Sequence, residues 1–148
     1  MNSIGQIRKL ESDEDIVRAE LLRLEAYNLS IENFDIMNSY YFMAIRNNLI
    51  IPFGFFINDR LVAACYVSNT FNSLYIDQLF VRPIFQNTGL HFGRSLLRYI
   101  LVNKKMLEEL FGQELHTSIL EPIDNKCVGI YEKEGYVKQP DESMVKKI

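Results

Sequence analysis

The segment formed by residues 75–100 constrains the fold of this chain more than any other part of it. It begins with a mostly apolar, β-prone run that ends at Val81, which predicts a buried strand. Pro83 ends that strand, because proline has no N–H to give to the ladder. After a small polar loop, apolar residues recur with a helical period, which predicts a helix. The apolar positions of that helix are Phe92, Leu96, Leu97, Ile100 and Leu101.

The polar loop of this segment has the sequence Gln86-Asn87-Thr88-Gly89 and lies between the predicted strand and the predicted helix. The first N–H groups of a helix have no partner inside the helix, so they point at whatever occupies such a loop. A strand, a glycine-bearing turn and a helix therefore make an anion site. We expect its ligand to be a phosphate or a pyrophosphate.

Length and composition limit the class of protein. A chain of 148 residues, 48% of them hydrophobic, can bury a real core, and we expect one domain over residues 1–148. The net charge of −3 argues against nucleic acid as a partner. The two cysteines and two histidines are too few for a zinc cluster, so we expect no metal.

The N-terminus has no apolar core, and no window is long enough to span a membrane. We therefore expect neither a signal peptide nor a membrane partner, and the expected location is the cytoplasm.

The remaining pattern predicts an α/β fold with a mixed sheet and the order β-α-α-β-β-β-α-β-α-β-β. The predicted strands span residues 4–10, 50–57, 61–67, 75–81, 115–120, 136–137 and 143–148. A first helix is expected from the capping signal at Ser12 to about residue 29, and a second from Ser30 to about residue 47. Further helices are expected to end at Gly112 and to begin at Asp124. Asn58 and Asp59 are expected to form a two-residue hairpin turn, and residues 68–73 a polar turn.

The apolar residues of the first two predicted helices are expected to face the core. In the first helix they are Ile16, Val17, Leu21, Leu22 and Leu24. In the second helix they are Phe34, Met37, Tyr40, Tyr41 and Ile45, whose aromatic rings can pack in the core or line a pocket.

Two segments carry a resemblance to a known family. The pattern Val81-x-Pro83-x-x-Gln86-x-x-Gly89, followed by a helix, resembles the acetyl-CoA loop of the GNAT superfamily of N-acetyltransferases. The run Tyr131-Glu-Lys-Glu-Gly-Tyr136, preceded by Asp124, resembles the other motif of that superfamily. The resemblance covers nearly the whole chain. It implies a GNAT-like acyl-CoA N-acyltransferase fold, with a mixed, mostly antiparallel sheet of six to seven strands and about four helices.

Two departures from the family pattern affect the loop and the second motif. His91 stands where the family has a second glycine, unless a loop longer by two residues places Gly93 at that glycine and His91 at the first one. Both alignments are open. Asp124 stands where the second motif begins with Asn, and an ionised Asp cannot donate a side-chain hydrogen bond to pantetheine.

The resemblance implies an enzyme that transfers an acetyl group from acetyl-CoA to a primary amine, by direct transfer in a ternary complex. The amine is a small molecule, a peptide or a protein, and a homodimer is possible. The alternative is a non-catalytic acyl-CoA-binding regulatory module on the same fold, which the altered glycine pattern favours and the retained Tyr131 opposes.

The family also implies roles for single residues. In the family pantetheine lies where the strand ending at Val81 splays from the following one, so main-chain groups of Phe80 and Val81 are expected to bind pantetheine and the thioester carbonyl. Tyr131 is the expected general acid and Asp77 a candidate base, with Glu121 or water as alternatives. The expected pyrophosphate ligands are the amides of Asn87, Thr88, Gly89, Leu90 and His91. The remaining expected donor-binding residues are Gln86, Gly93, Asp124 and Asn125.

Overall fold

The computed structural model describes residues 5–30, 34–86 and 88–148. Within those ranges it contains seven strands and five α-helices. The strands are β1 Gly5–Lys9, β2 Ile51–Ile57, β3 Arg60–Thr70, β4 Ser73–Val81, β5 Thr117–Leu120, β6 Val137–Lys138 and β7 Met144–Lys147. The helices are α1 Asp13–Ala26, α2 Tyr40–Arg46, α3 Phe92–Val102, α4 Lys104–Phe111 and α5 Asn125–Lys133. Short 3₁₀ helices span Ile36–Asn38 and Pro83–Phe85.

The strands form a sheet with the order β1-β2-β3-β4-β5-β7-β6. The β1–β2, β5–β7 and β6–β7 pairs are antiparallel, whereas β4 and β5 are parallel. Their register runs from Ser73↔Thr117 to Ile76↔Leu120, where β5 ends, while β4 continues to Val81. This mixed, mostly antiparallel sheet confirms the predicted fold class.

The chain divides into two compact units. The first comprises Met1–Tyr66 and Gln78–Ile100, and the second comprises Val67–Asp77 and Leu101–Ile148. Strands β3 and β4 contribute residues to both. That residues 1–148 form one domain stays a prediction.

The core of the first unit is centred on Tyr66, whose ring is fully buried. Its centroid lies 5.4 Å from that of Phe80 and 5.4 Å from that of Tyr41. Burial of such large rings is a main source of stability, because each removes a large apolar area from water. Other buried residues of this core are Leu10, Ile16, Leu22, Phe42, Ile45, Phe56 and Leu61.

The second unit has its own buried residues on α4, β5 and the C-terminal strands. The Tyr136 ring is buried, and its hydroxyl shares a hydrogen bond of 2.8 Å with buried Ser118. The hydrogen bond satisfies both hydroxyls, which burial would otherwise penalise. Its buried apolar residues include Val67, Leu74, Ile76, Leu107, Leu115, Leu120 and Met144.

Local signals in the sequence placed most element ends correctly. Ser12 and Asp124 cap α1 and α5 by accepting a main-chain N–H, and Gly112 ends α4 with a positive φ of 67°. Asn58 and Asp59 form the predicted hairpin turn, with φ values of 50° and 62°. Asn and Asp tolerate this left-handed region better than most residues.

The predicted start of the second helix was wrong. A 3₁₀ helix over Ile36–Asn38 precedes α2, and Ser39 rather than Ser30 caps α2. Residues 31–33 of that predicted helix lie outside the described residues. Leu21, Met37 and Tyr40 are 41%, 54% and 73% exposed, so their predicted places in the core were also wrong.

The predicted polar turn over residues 68–73 was too long. Strand β3 continues to Thr70 and β4 begins at Ser73, so the turn consists of Phe71 and Asn72, and Phe71 has a positive φ of 54°. Polar residues such as Ser68 therefore lie on a strand, because ladder hydrogen bonds override their turn preference.

Gly54 lies where β2 has no room for a side chain. A Cβ atom there would lie 2.8 Å from both Leu10 Cδ2 and Leu61 Cδ1. We expect Gly54→Ala to lower the free energy of unfolding by about 1–3 kcal/mol in urea denaturation, because the core must shift.

Gly129 provides the matched control. It lies inside α5, and an added Cβ would meet nothing within 4 Å. Gly129→Ala should raise the free energy of unfolding by about 0.5–1 kcal/mol, because alanine favours a helix. Equal effects of the two substitutions would contradict this packing.

Candidate functional site

The anion site predicted from the sequence would lie in the loop between β4 and α3. After β4, the 3₁₀ helix Pro83–Phe85 leads into the loop, and α3 begins at Phe92. Gly89 has a φ of 82°, and a Cβ there would meet nothing within 4 Å, so the main chain faces open space. His91 has a φ of 54° and accepts a hydrogen bond of 3.0 Å from Ser95 N.

Two side chains tie this loop to the backbone before it. The Gln86 Nε2 atom donates to the Val81 carbonyl oxygen at 2.8 Å, and the Thr88 hydroxyl donates to the Phe85 carbonyl oxygen at 2.8 Å. Gln86 therefore clamps the loop to the end of β4. Asn87 lies outside the described residues.

The start of α3 lies close to β4. A Cβ at Gly93 would lie 3.4 Å from Val81 Cγ2, so the first turn of α3 packs within van der Waals distance of the end of β4. Gly93 lies inside the first turn of α3, while Gly89 lies in the loop. The two glycines therefore have different structural positions. Which of them contacts a phosphate stays a prediction.

The loop has the electrostatics of an anion site. Thr88, Gly89, Leu90 and His91 are exposed, and the first turn of α3 contains no acidic residue. The free N–H groups and the dipole of an α-helix favour negative charge at its N-terminus. This arrangement can accept a phosphate group.

Asp77 lies on β4 within the second unit and is half-buried. The Ser68 hydroxyl donates to its carboxylate at 2.6 Å. Burial raises the pKa of Asp77 above its usual value, although the hydrogen bond from Ser68 acts in the opposite direction. A carboxylate with a raised pKa accepts a proton more readily than one at the surface.

Tyr75 lies on the same face of β4 as Asp77, because side chains alternate along a strand. Its hydroxyl donates to Glu121 Oε1 at 2.8 Å. Burial and then the hydrogen bond to Glu121 raise the pKa of Tyr75 to about 12. Sequence reasoning missed Tyr75, although its alternation with Asp77 was a usable signal.

Tyr75 and Glu121 line a cavity of about 550 Å³ in the second unit. Asp141 adds a second carboxylate, and the N–H and hydroxyl of Ser143 both donate to it. These hydrogen bonds lower the pKa of Asp141, so the group stays ionised. None of the described residues that line the cavity has a positively charged side chain. Its other members are Ile119, Gln139, Pro140 and Val145.

The second motif forms α5 and the turn after it. The Asp124 side chain accepts the Cys127 N–H at 3.1 Å, and this hydrogen bond lowers the pKa of Asp124. Asn125 is the first residue of the helix and is exposed. The half-buried ring of Tyr131 lies edge to face with that of Tyr136, at 6.1 Å between centroids.

The predicted site residues fall into two sets. The first unit contains the expected donor-binding residues of β4 and its loop: Phe80, Val81, Gln86, Thr88, Gly89, Leu90, His91 and Gly93. The second contains Asp77, Asp124, Asn125 and Tyr131. In the part of the chain that the structure describes, no group of three acidic, histidine or cysteine side chains could hold a metal ion. None of the helices described above is long and apolar enough to cross a membrane.

Neither the protein-family models nor the curated proteins include a match for this chain. Solved structures do match. PaiA N-acetyltransferase from Thermoplasma acidophilum, in complex with coenzyme A, has a TM-score of 0.69 at 18% identity, over 98% of this chain and 99% of that chain. Ribosomal-protein-S18-alanine N-acetyltransferase from Escherichia coli has a TM-score of 0.67 at 18% identity, over 98% and 94%.

A GNAT family acetyltransferase from Brucella melitensis, in complex with acetyl-CoA, has a TM-score of 0.68 at 15% identity, over 99% of this chain and 90% of that chain. These likenesses show that the chain has the GNAT fold, as the two sequence motifs predicted. At such identities they show the fold alone.

The pKa values of Asp77 and Asp124 shift in opposite directions, so substitutions should change stability with opposite pH dependence. The raised pKa of Asp77 means that its contribution to stability is complete below the unfolded pKa of about 3.9 and is lost as pH rises through the folded pKa. We expect Asp77→Asn to become more favourable, relative to wild type, between pH 3 and pH 7.

Asp124→Asn is the control with the opposite sign. The lowered pKa of Asp124 gives stability that is present above the unfolded pKa and lost as pH falls through the folded pKa. Its stability relative to wild type should therefore decrease between pH 3 and pH 7. Urea denaturation at both pH values measures the two differences, and the same sign for both would contradict the assignments.

Proposed function

We propose that this protein is an N-acetyltransferase that transfers an acetyl group from acetyl-CoA to a primary amine. The observation that carries the proposal is the loop before α3. It joins an open, positive-φ Gly89 to a helix N-terminus without acidic residues. The GNAT fold supports the same reading, and neighbours of that fold are described with coenzyme A or acetyl-CoA.

The residues of the loop fit a pyrophosphate. The amides of Thr88, Gly89, Leu90 and His91 would hold it, together with Asn87, because backbone N–H groups and the α3 dipole both favour an anion. The Val81 carbonyl already accepts the Gln86 amide, but a carbonyl oxygen has two lone pairs and can accept a second donor. We therefore propose that main-chain groups of Phe80 and Val81 form hydrogen bonds with pantetheine.

Two side chains would move the protons. Asp77 would accept a proton from the amine, since burial raises its pKa and so makes it a better base than an exposed aspartate. The amine nitrogen then forms a bond to the acetyl carbon as the carbon–sulfur bond breaks. Tyr131 would give its proton to the departing sulfur, because a neutral phenol hydroxyl has a proton to give.

The cavity lined by Glu121 and Asp141 would favour a positively charged acceptor. Glu121 and Asp141 put two carboxylates in one cavity beside the Tyr75 hydroxyl. Negative charge in a cleft raises the local concentration of a cationic ligand, and free primary amines carry a positive charge at neutral pH. This charge supports an amine substrate.

A two-stage experiment tests the function. Calorimetry with acetyl-CoA, with CoA and dephospho-CoA as controls, should show micromolar binding. The complex is then offered a panel of amines, and thiol release is measured. Binding with release by some amine supports the enzyme, whereas binding without release over the panel indicates the regulatory module. Absence of binding would overturn the donor site.

Tyr131→Phe should lower kcat by about 10²–10⁴-fold, the usual contribution of a general acid, with an unchanged Kd for acetyl-CoA. Tyr136→Phe is the matched control. It removes a hydroxyl that shares a hydrogen bond with Ser118, so it should lower the free energy of unfolding and leave kcat nearly unchanged. Steady-state kinetics and calorimetry provide both readings. An intact kcat in Tyr131→Phe would remove Tyr131 from the mechanism.

Gly89→Glu should weaken acetyl-CoA binding by at least tenfold, roughly one charge repulsion at short range, because it adds negative charge and bulk at the phosphate loop. Gly112→Glu is the matched control. Gly112 also has a positive φ and open space around its Cβ position, so the backbone strain is similar. Calorimetry should show normal binding in the control, and equal loss in both variants would contradict the loop assignment.

A further inference from the structure

A cavity of about 360 Å³ lies in the first unit and is lined by residues of α1, of the β2–β3 hairpin and of the segment after β4. We call it the arginine cavity, because Arg18, Arg60 and Arg82 line it. Its volume is in the range of small-molecule sites. None of the described residues that line it belongs to the loop before α3, so the proposed function does not use it.

The charges of the arginine cavity favour a ligand with one negative charge. Besides the three arginines, the described lining contains two acidic residues, Glu25 and Asp59. Three positive and two negative charges leave a net charge of +1. A lining of this sign raises the local concentration of an anion. A second negative charge on the ligand would be repelled by Glu25 and Asp59 with no further cation to balance it.

Arg82 is held in place but keeps donors for a ligand. Its Nε and Nη2 atoms donate to the Leu61 carbonyl oxygen at 3.2 and 2.7 Å, and Nη1 donates to Glu25 Oε2 at 3.2 Å. These bonds use three of the five N–H donors of a guanidinium. The side chain lines the cavity and is 24% exposed, so a ligand can reach the donors that remain. A guanidinium that is already fixed loses little entropy when it binds.

Arg60 adds a second guanidinium. It is the first residue of β3 and is exposed, so its long side chain can turn towards a ligand. Arg18 instead donates to Glu14 at 2.8 Å, and Glu14 does not line the cavity. A guanidinium binds a carboxylate with two parallel hydrogen bonds, which fix both its position and its orientation.

The apolar part of the lining is formed by leucines of α1 and β3. Leu22 and Leu61 are buried, whereas Leu21 is 41% exposed. A single exposed leucine is common on a protein surface, but Leu21 lines the same cavity as the guanidinium groups. An aliphatic chain that covered Leu21 would remove apolar area from water. The lining therefore matches a ligand with one acidic end and an apolar body.

We propose that the arginine cavity binds a small aliphatic monocarboxylate. Arg60 and Arg82 would hold the carboxylate, and the aliphatic chain would cover Leu21. The net charge of the lining suits one negative charge, and the leucines suit a chain rather than an inorganic anion. This inference does not depend on the proposed function, because it uses neither the loop before α3 nor the proposed acid and base.

The first test compares ligands by NMR titration of the whole protein. Hexanoate is the probe, and 1-hexanol, acetate and inorganic phosphate are its controls. Hexanoate should bind at least about tenfold more tightly than 1-hexanol, which lacks the charge-assisted hydrogen bonds. Acetate lacks most of the chain and should also bind at least about tenfold more weakly. Failure of hexanoate to bind, or equal binding of 1-hexanol or phosphate, would overturn the proposal.

The second test locates the carboxylate. Arg60→Gln should raise the Kd of hexanoate about tenfold, the usual effect of losing one charge-assisted pair. Arg46→Gln is the matched control, because it removes an exposed arginine of the same unit that pairs with Asp13 and does not line the cavity. Equal Kd values in the two variants would contradict the placement.

The third test concerns the apolar body. Leu21→Ser should raise the Kd of hexanoate at least about threefold and leave that of acetate unchanged, because only the chain loses buried area. Leu49→Ser is the control, since Leu49 is a 66% exposed leucine of the same unit outside the lining. An equal effect of both substitutions on hexanoate would remove Leu21 from the site.

Acetyl-CoA separates the arginine cavity from the proposed donor loop. Excess acetyl-CoA should leave the Kd of hexanoate unchanged. Competition between the two would place hexanoate in the donor site and overturn this inference. Failure of acetyl-CoA to bind would overturn the donor site only, because Arg60→Gln and Leu21→Ser test the arginine cavity without it.

Discussion

The parallel pairing of β4 with β5 is the constraint on which the rest of this structure depends. Parallel neighbours cannot be joined by a hairpin, because the chain must return to the starting edge before it enters the second strand. Here α3 and α4 make that return. A helix N-terminus therefore follows the carboxyl end of β4, and the unpaired N–H groups of such an end favour an anion.

Strand β4 also sorts its side chains by alternation. Leu74, Ile76 and Phe80 are buried, whereas Tyr75 and Asp77 are half-buried on the other face. The same strand thus contributes both to the core and to the ionisable groups of the site. A shift of register by one residue would exchange the two sets, so the buried residues fix where Asp77 points.

Sequence reasoning succeeded where the signal is local. The caps at Ser12 and Asp124, the hairpin turn and the loop before α3 each depend on a few adjacent residues. It failed at the second helix because Ser30 and Ser39 both precede apolar runs, and the contact that distinguishes them is the bond from Ser39 to Glu20.

The site was predictable to the same extent. The loop and α5 were found from their motifs, whereas the hydrogen bond between Tyr75 and Glu121 joins residues 46 positions apart and leaves no local trace. Asp77 was predicted as a candidate base from the family resemblance, but the burial that raises its pKa and the hydrogen bond from Ser68 that lowers it depend on the packing of two strands. The roles of these residues stay predictions, since a fold fixes positions and not chemistry.

The short length of α2 has a consequence for the order in which the chain folds. A seven-residue helix gains too little from its own hydrogen bonds to persist before its partners are in place. Its cap depends on Ser39, whose other partner Glu20 is fixed only once Tyr66 of β3 has packed against α1. We therefore expect α2 to form after the core contacts of Glu20 and Tyr66 are in place.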